Sequence, residues 1–239
     1  MNDKIIGILG GMGPEATAEC YMKILRATNA SKDQEHYRVI IDSNAKIPDR
    51  TEAIAGRGPS PVPEMVSAAK NLEKLGVDVA CMPCMTAHYF IEEVQKRVSY
   101  PLMNAFLETK KYIQDAYPDV KKIGVLATTG TIQSGLFDKY LDNVDIVYPT
   151  PFTQKEKVMN AIYGENGIKS GNTNGEPLQM LKDASDELID NGAELIISGC
   201  TEIGLVLKTY HLPTPLLDPM EVVAHVVAKE SVYQKSSSM

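Results

Sequence analysis

Tryptophan is absent from this 239-residue chain, and cysteine is scarce, with four. Four cysteines over this length make no disulfide framework, so the composition predicts free thiols in a reducing cytoplasm. No apolar run is long enough to span a bilayer. The chain enters a strand-like run at Lys4, and the expectation is no secretory leader. Basic charge is in deficit, with 24 Lys and Arg against 31 Asp and Glu and a formal net charge of −7. That balance, with no basic stripe of interleaved aromatics, excludes a general nucleic-acid or membrane-surface role. What is present is ordinary: 44% hydrophobic residues, enough for a globular core. The closing Ser236-Ser237-Ser238 is expected to fray.

The informative feature is an internal repeat. Gly76-Val77-Asp78-Val79-Ala80-Cys81-Met82-Pro83-Cys84 parallels Gly192-Ala193-Glu194-Leu195-Ile196-Ile197-Ser198-Gly199-Cys200, at an offset of 116 (200 − 84). Lys4-Ile5-Ile6-Gly7-Ile8-Leu9 matches Lys121-Lys122-Ile123-Gly124-Val125-Leu126 at 117 (121 − 4), and Pro101-Leu102-Met103 matches Pro215-Leu216-Leu217 at 114 (215 − 101). A period this long is no solenoid and implies two similar subdomains.

Short β-rich runs alternate with longer amphipathic ones. Strands are predicted over Lys4–Leu9, Tyr37–Asp42, Val77–Met82, Pro101–Met103, Lys122–Ala127, Val144–Val147, Glu194–Ser198 and Pro215–Leu217. Helices are predicted over Glu15–Thr28, Pro63–Leu75, Thr86–Val98, Ala105–Ala116, Thr131–Leu141, Gln154–Tyr163, Pro177–Asn191 and Glu221–Glu230. This alternation means βαβ units, parallel sheets and an α/β fold. The subdomains are expected to divide as 1–103 plus 216–239 and 104–215, with the last helix returning to the first. Ile47–Pro63 and Tyr163–Pro177 read as long loops, a kind that often carries function.

Ligands of open parallel sheets bind beyond the carboxyl ends of the strands. Cys84 and Cys200 fall there, as do Gly10-Gly11-Met12-Gly13 and Thr128-Thr129-Gly130-Thr131. If the halves face each other, two thiols approach one ligand from opposite sides. A thiol that opens a helix gains from the helix field, which favours the thiolate. The ordinary fate of a free cysteine is a buried small hydrophobe. That reading suits Cys20 and Cys81, whereas the matched positions of Cys84 and Cys200 favour function. Cys81-Met82-Pro83-Cys84 is also a CxxC pattern, which serves thiol–disulfide exchange or half a zinc site. No second CxxC or paired histidines accompany it, so no metal is expected. Gly10-Gly11-Met12-Gly13-Pro14 is either a weak phosphate cradle or a tight turn with Pro14 in the first helical position. Arg50 and Lys169, one in each long loop, are solvated cations or carboxylate binders. His88 lies one helical turn beyond Cys84, where it supports the helix or tunes the thiol.

Gly10-Gly11-Met12-Gly13-Pro14-Glu15-Ala16-Thr17, Ile47-Pro48-Asp49-Arg50-Thr51, Pro83-Cys84 with Thr86-Ala87-His88, and Gly199-Cys200-Thr201-Glu202 together resemble the aspartate/glutamate racemase family over nearly the whole chain. The resemblance implies two α/β subdomains related by a pseudo-two-fold axis and a homodimer. It implies racemisation of an acidic amino acid without a cofactor, with Cys84 and Cys200 as the two bases. By the same resemblance Arg50 and Lys169 hold the substrate's side-chain carboxylate, and Met12, Thr86, Thr128, Thr131, Thr201 and Glu202 line the site. One position departs from the family pattern: Met85 stands where the family usually has Asn, and it brings no donor for the amino acid's polar groups. An amino-acid-binding module with lost turnover, or a dithiol redox protein, are the alternatives.

Overall fold

The computed structural model describes residues 4–233; the serines at 236–238 lie outside the described residues. The chain divides into two compact units, one running to Glu108 and resuming at Met220, the other spanning Thr109–Pro219. The first is built from β1 (Ile5–Gly10), α1 (Pro14–Ala27), β2 (Arg38–Ser43), α2 (Arg50–Ile54), α3 (Val62–Lys74), β3 (Val79–Cys81) and α4 (Ile91–Gln95). Its sheet is parallel, in the order β2-β1-β3, with β1 matched to β2 from Ile5↔Arg38 and to β3 from Ile6↔Val79. α5 (Ala105–Ala116) leads into the second unit, which holds β4 (Lys122–Leu126), α6 (Thr129–Gln133), α7 (Leu136–Tyr140), β5 (Asp145–Val147), α8 (Pro151–Thr153), α9 (Asn160–Tyr163), α10 (Glu176–Asp190), β6 (Leu195–Ser198), α11 (Thr201–Val206) and β7 (Leu216–Leu217). Its sheet is also parallel, in the order β5-β4-β6-β7. Each sheet thus seats its first strand between its second and third, and the α/β fold of two similar subdomains read from the sequence is the fold observed.

The repeat extends to individual contacts. Gly7 in β1 and Gly124 in β4 lie where the helix before the third strand presses on the sheet. A Cβ on Gly7 would fall 2.8 Å from Val77 Cγ1, 3.0 Å from Ala80 Cβ and 3.3 Å from Leu72 Cδ1. On Gly124 it would fall 2.7 Å from Ile196 Cδ1, 3.0 Å from Leu188 Cβ and 3.1 Å from Ala193 Cβ. The three neighbours correspond at the repeat offset, 116 (188 − 72). So do the buried faces of the two helices, Met65, Ala68, Ala69 and Leu72 in α3 against Leu181, Ala184, Ser185 and Leu188 in α10. Both faces follow the i, i+3, i+4, i+7 spacing of an amphipathic helix. Even the strand starts agree. The Asp78 carboxylate accepts from the Ile5 N–H at 2.7 Å, and Glu194 accepts from the N–H groups of Lys121 and Lys122 at 2.6 and 3.0 Å.

Several expected elements differ in detail. Pro101–Met103 is no strand but an isolated bridge between Leu102 and Ala80. The first long loop contains α2, begun by Asp49, whose side chain accepts from the Glu52 N–H at 2.9 Å. Asp in that position is a strong helix-start signal. The helix expected over Thr86–Val98 opens as a 3₁₀ turn, Thr86–Phe90, before α4. Thr131–Leu141 breaks into α6 and α7 at Gly135, whose φ of 66° is left-handed. Gln154–Met159 is wound as a π-helix between α8 and α9.

The carboxy-terminal helix α12 (Pro219–Tyr233) packs in the first unit. Glu221 pairs with the buried Lys23 of α1 at 3.2 Å, and the Tyr37 hydroxyl donates to the Ala228 carbonyl at 2.9 Å. Gly7→Ala and Gly124→Ala are each expected to cost about 1–3 kcal/mol by overpacking. Urea denaturation measures it, and losses below about 0.5 kcal/mol at both sites would contradict the close helix–strand contact.

Candidate active site

In the first unit the Gly-rich turn is shaped by packing. Gly11 has φ +90°, and a Cβ there would strike the Asn44 backbone at 2.3 Å. Its N–H donates to Thr17 Oγ1 at 2.8 Å, so that donor is committed within the turn and not presented to an anion. The turn carries the buried Met12, whose carbonyl lies 3.4 Å from Arg50 Nη2. Arg50 opens α2 and is 9% exposed. Its Nη1 donates to the carbonyls of Pro48 at 3.0 Å and Ile47 at 3.3 Å. These contacts aim a guanidinium that a mobile loop would leave wandering.

β3 ends at Cys81, and Met82-Pro83 turn the chain so that the Cys84 N–H donates to the Met82 carbonyl at 2.8 Å. Cys84 is 6% exposed and borders its own unit's core beside Met12, Ile47 and Met82. Met85 and Thr86, which follow, are buried. His88 takes the structural part. Its Nε2 accepts from the Ala105 N–H at 3.1 Å, so the proton sits on Nδ1, which donates to the Cys84 carbonyl at 2.9 Å. Burial depresses its pKa to about 4, against partial support from backbone hydrogen bonds to Cys84, Met103 and Met85. At neutral pH it is therefore an uncharged clamp, not a cation that would lower the thiol.

In the second unit β6 ends at Ser198, and Gly199 brings the chain close to its neighbours. A Cβ on Gly199 would fall 2.8 Å from the Phe137 ring and 3.0 Å from Ala127 Cβ. Cys200 follows as the cap of α11, also 6% exposed. Its thiol donates to Glu202 Oε2 at 3.0 Å, and the Thr201 hydroxyl donates to the same oxygen at 3.0 Å. The other Glu202 oxygen is ion-paired to Lys169 Nζ. Lys169 rides on the short 3₁₀ turn Ile168–Ser170, with its ammonium 5.4 Å from the centre of the Tyr163 ring. Thr128 caps α6, accepting from the Thr131 N–H at 3.2 Å, and the two hydroxyls are 3.0 Å apart.

The electrostatics run against the expected lowering of the thiol pKa at Cys200. Burial pushes that thiol well above its ordinary value, and the neighbouring Glu202 charge adds to it, with Lys169 offsetting part. α11 has six residues, too short a dipole to outweigh a carboxylate in direct contact. Burial also opposes the charge on Glu202, but the Lys169 charge and hydrogen bond, the Cys200 thiol and a backbone N–H together hold it below the usual carboxylate range. Cys200 therefore rests as a thiol hydrogen-bonded to an ionised Glu202. The sequence assigned no role in this arrangement to Tyr163 or Gly199, although Tyr163 opens the second long loop and Gly199 belongs to the Cys200 motif.

The CxxC pattern divides in the structure. Cys81 faces Cys20, Sγ to Sγ 3.7 Å, while Cys84 is held by the turn and His88. Among the described residues no group of three or more His, Cys, Asp or Glu side chains is placed to hold a metal ion. No helix among them is long and apolar enough to cross a membrane.

An α/β protein of two units, with parallel sheets of like order and a buried cysteine just past the third strand of each, is the class defined here. The Asp/Glu/Hydantoin racemase family model matches residues 9–227, and the chain belongs to that family. It is 32% identical over 230 residues to the Broad specificity amino-acid racemase RacX of Bacillus subtilis (strain 168), covering 92% of this chain and 95% of that protein. The solved aspartate racemase of Picrophilus torridus superposes with a TM-score of 0.84 at 26% identity, covering 96% of this chain and 94% of that one. A glutamate racemase from Francisella tularensis subsp. tularensis SCHU S4, at 18% identity and a TM-score of 0.68 over 98% of this chain and 83% of its own, shares the fold. The chain is an amino-acid racemase, an isomerase.

The neutral His88 has a measurable consequence. Its folded pKa of about 4 lies below the ordinary 6.5, so the unfolded chain binds the extra proton first. The stability that His88 contributes is complete above pH 6.5 and falls as pH drops towards 4, by about 3 kcal/mol in total. Urea titrations from pH 7 to 4 should show this slope, and His88→Gln should flatten it. An equal slope in parent and variant would refute the assignment.

Proposed function

We propose that the chain inverts the Cα centre of an acidic amino acid, aspartate or glutamate, with Cys84 and Cys200 as the proton-transfer groups. The observation that carries this reading is the Cys200 thiol held against the Glu202 carboxylate at 3.0 Å, with Lys169 behind it. Inversion requires a proton to leave one face of Cα and another to arrive on the opposite face. A single fixed base returns the proton to the face it came from. On this reading Cys200 rests as the acid, and Cys84, as thiolate, takes the Cα proton of one enantiomer. The electron pair left on carbon spreads into the substrate's carboxylate, and Cys200 closes the other face with its own proton. For the opposite enantiomer the roles exchange: Cys200, left deprotonated, takes the Cα proton, and Cys84, now protonated, supplies one to the other face. A general acid works best with a pKa near the working pH, and Glu202 with Lys169 is the lever on that value.

Arg50, aimed by its backbone carbonyls, is assigned the substrate's side-chain carboxylate as a forked donor. Lys169 is assigned first to Glu202, and only through that pair to the substrate. Met12, Thr86, Thr128, Thr131 and Thr201 complete the lining in this proposal, which includes a homodimer that sedimentation velocity measures. A second reading, tolerance of many side chains, is favoured by Met85: a buried thioether stands where a polar grip is usual, and the relative from Bacillus subtilis is named for broad specificity.

Each enantiomer of aspartate, glutamate and a set of neutral and basic amino acids is incubated with the protein in D₂O, and Cα deuterium is followed by NMR. Aspartate or glutamate should exchange fastest; comparable rates across the set select the broad reading. Cys84→Ala and Cys200→Ala should each lower kcat/KM by at least about a thousandfold, and near-parental turnover in either would end the two-thiol proposal. Arg50→Ala should weaken acidic substrates about ten- to hundredfold more than neutral ones. Glu202→Gln removes the negative charge that raises Cys200, so the alkaline limb of the pH profile should move to lower pH in the direction that uses Cys200 as acid. An unmoved limb would place Glu202 outside the proton path.

A further inference from the structure

Two buried thiols take no part in the proposed chemistry, and the fold brings them together. Cys20 lies on the inner face of α1 and Cys81 ends β3, 61 residues apart in sequence, with their sulfurs 3.7 Å apart. Both are buried to within about one percent, and the Cys81 sulfur is also 3.8 Å from the Gly7 carbonyl of β1. We propose that Cys20 and Cys81 are an oxidative modification site, forming a disulfide that ties α1 to the end of β3.

The geometry supports it. A disulfide brings its sulfurs to about 2.05 Å, so the pair closes by rotation about the side-chain bonds and a small approach of helix to strand. Cys84 is the partner that sequence spacing suggested for Cys81, but its backbone is pinned by the Met82 turn and His88. The oxidant is a small uncharged peroxide, which suits a site shut off from bulky or charged reagents. One sulfur attacks the O–O bond of hydrogen peroxide, becomes a sulfenic acid and releases one water. The second sulfur displaces the hydroxyl as a second water and forms the S–S bond. Two thiols and one peroxide thus give one disulfide and two waters, with two electrons passed from sulfur to oxygen. Burial limits access to the sulfurs and makes the reaction slow. The modification therefore answers sustained exposure, not a brief pulse.

The test uses the whole protein. Samples are held in graded hydrogen peroxide, blocked with N-ethylmaleimide in denaturant, digested without reductant and mapped by mass spectrometry. The expected product is a peptide pair joining Cys20 to Cys81, lighter than its parts by two hydrogens and released by dithiothreitol. It should be lost in Cys20→Ala and in Cys81→Ala and retained in Cys84→Ala, so the result does not depend on the racemase mechanism. The oxidised protein should also unfold at higher urea than the reduced one. A Cys81–Cys84 link, peroxide damage confined to Cys84 and Cys200 with Cys20 and Cys81 fully alkylated, or an S–S link that leaves the urea midpoint unchanged would each overturn the proposal.

Discussion

The close seat of a helix on a glycine organises both units. Where α3 crosses β1 and α10 crosses β4, there is no room for a Cβ on Gly7 or Gly124. That contact fixes the distance between helix and sheet, and so the height at which the following strand joins it. β3 and β6 pair beside these glycines, in Gly7↔Ala80 and Gly124↔Ile196. Their carboxyl ends, and the cysteines a few residues beyond, are positioned as a consequence. Interiors packed near crystal density transmit such a constraint with little slack. The placement of both cysteines thus depends on two residues that have no side chain.

The two thiols are held by different means. Cys84 is positioned through its backbone by a neutral imidazole and a tight turn. Cys200 is positioned through its sulfur by a carboxylate, which a lysine keeps ionised. Under the proposed mechanism, the pair that exchanges acid and base roles begins from unequal environments. Internal duplication explains the like placement of the cysteines, and the residues one or two positions further on account for the unlike electrostatics.

The fold was legible because a repeat at 116 or 117 residues preserves strand pattern, glycine placement and helix faces together. Cys84 and Cys200 were legible for the same reason. Less visible were features set by tertiary context. The helix at Arg50 hides in a stretch rich in Gly and Pro, though Asp49 marks its start. The break at Gly135 and the π-wound turn Gln154–Met159 leave hydrophobic spacing almost unchanged. The pairing of Lys169 with Glu202 joins residues 33 apart and has no local signature at all. Motif resemblance assigned both to a ligand, whereas their first partners are each other.

One further consequence concerns how the chain is made. The second unit is a single continuous stretch, Thr109–Pro219, and every residue it needs has been synthesised by the time Pro219 is added. The first unit begins earlier yet ends later, since Lys23 finds Glu221 and Tyr37 finds the Ala228 carbonyl only after the second unit has been made. Domains commonly mature from the amino terminus onward during translation. Here the order of completion is the reverse of the order of synthesis. The contacts of α1 and Tyr37 with α12 can form only once α12 has left the ribosome.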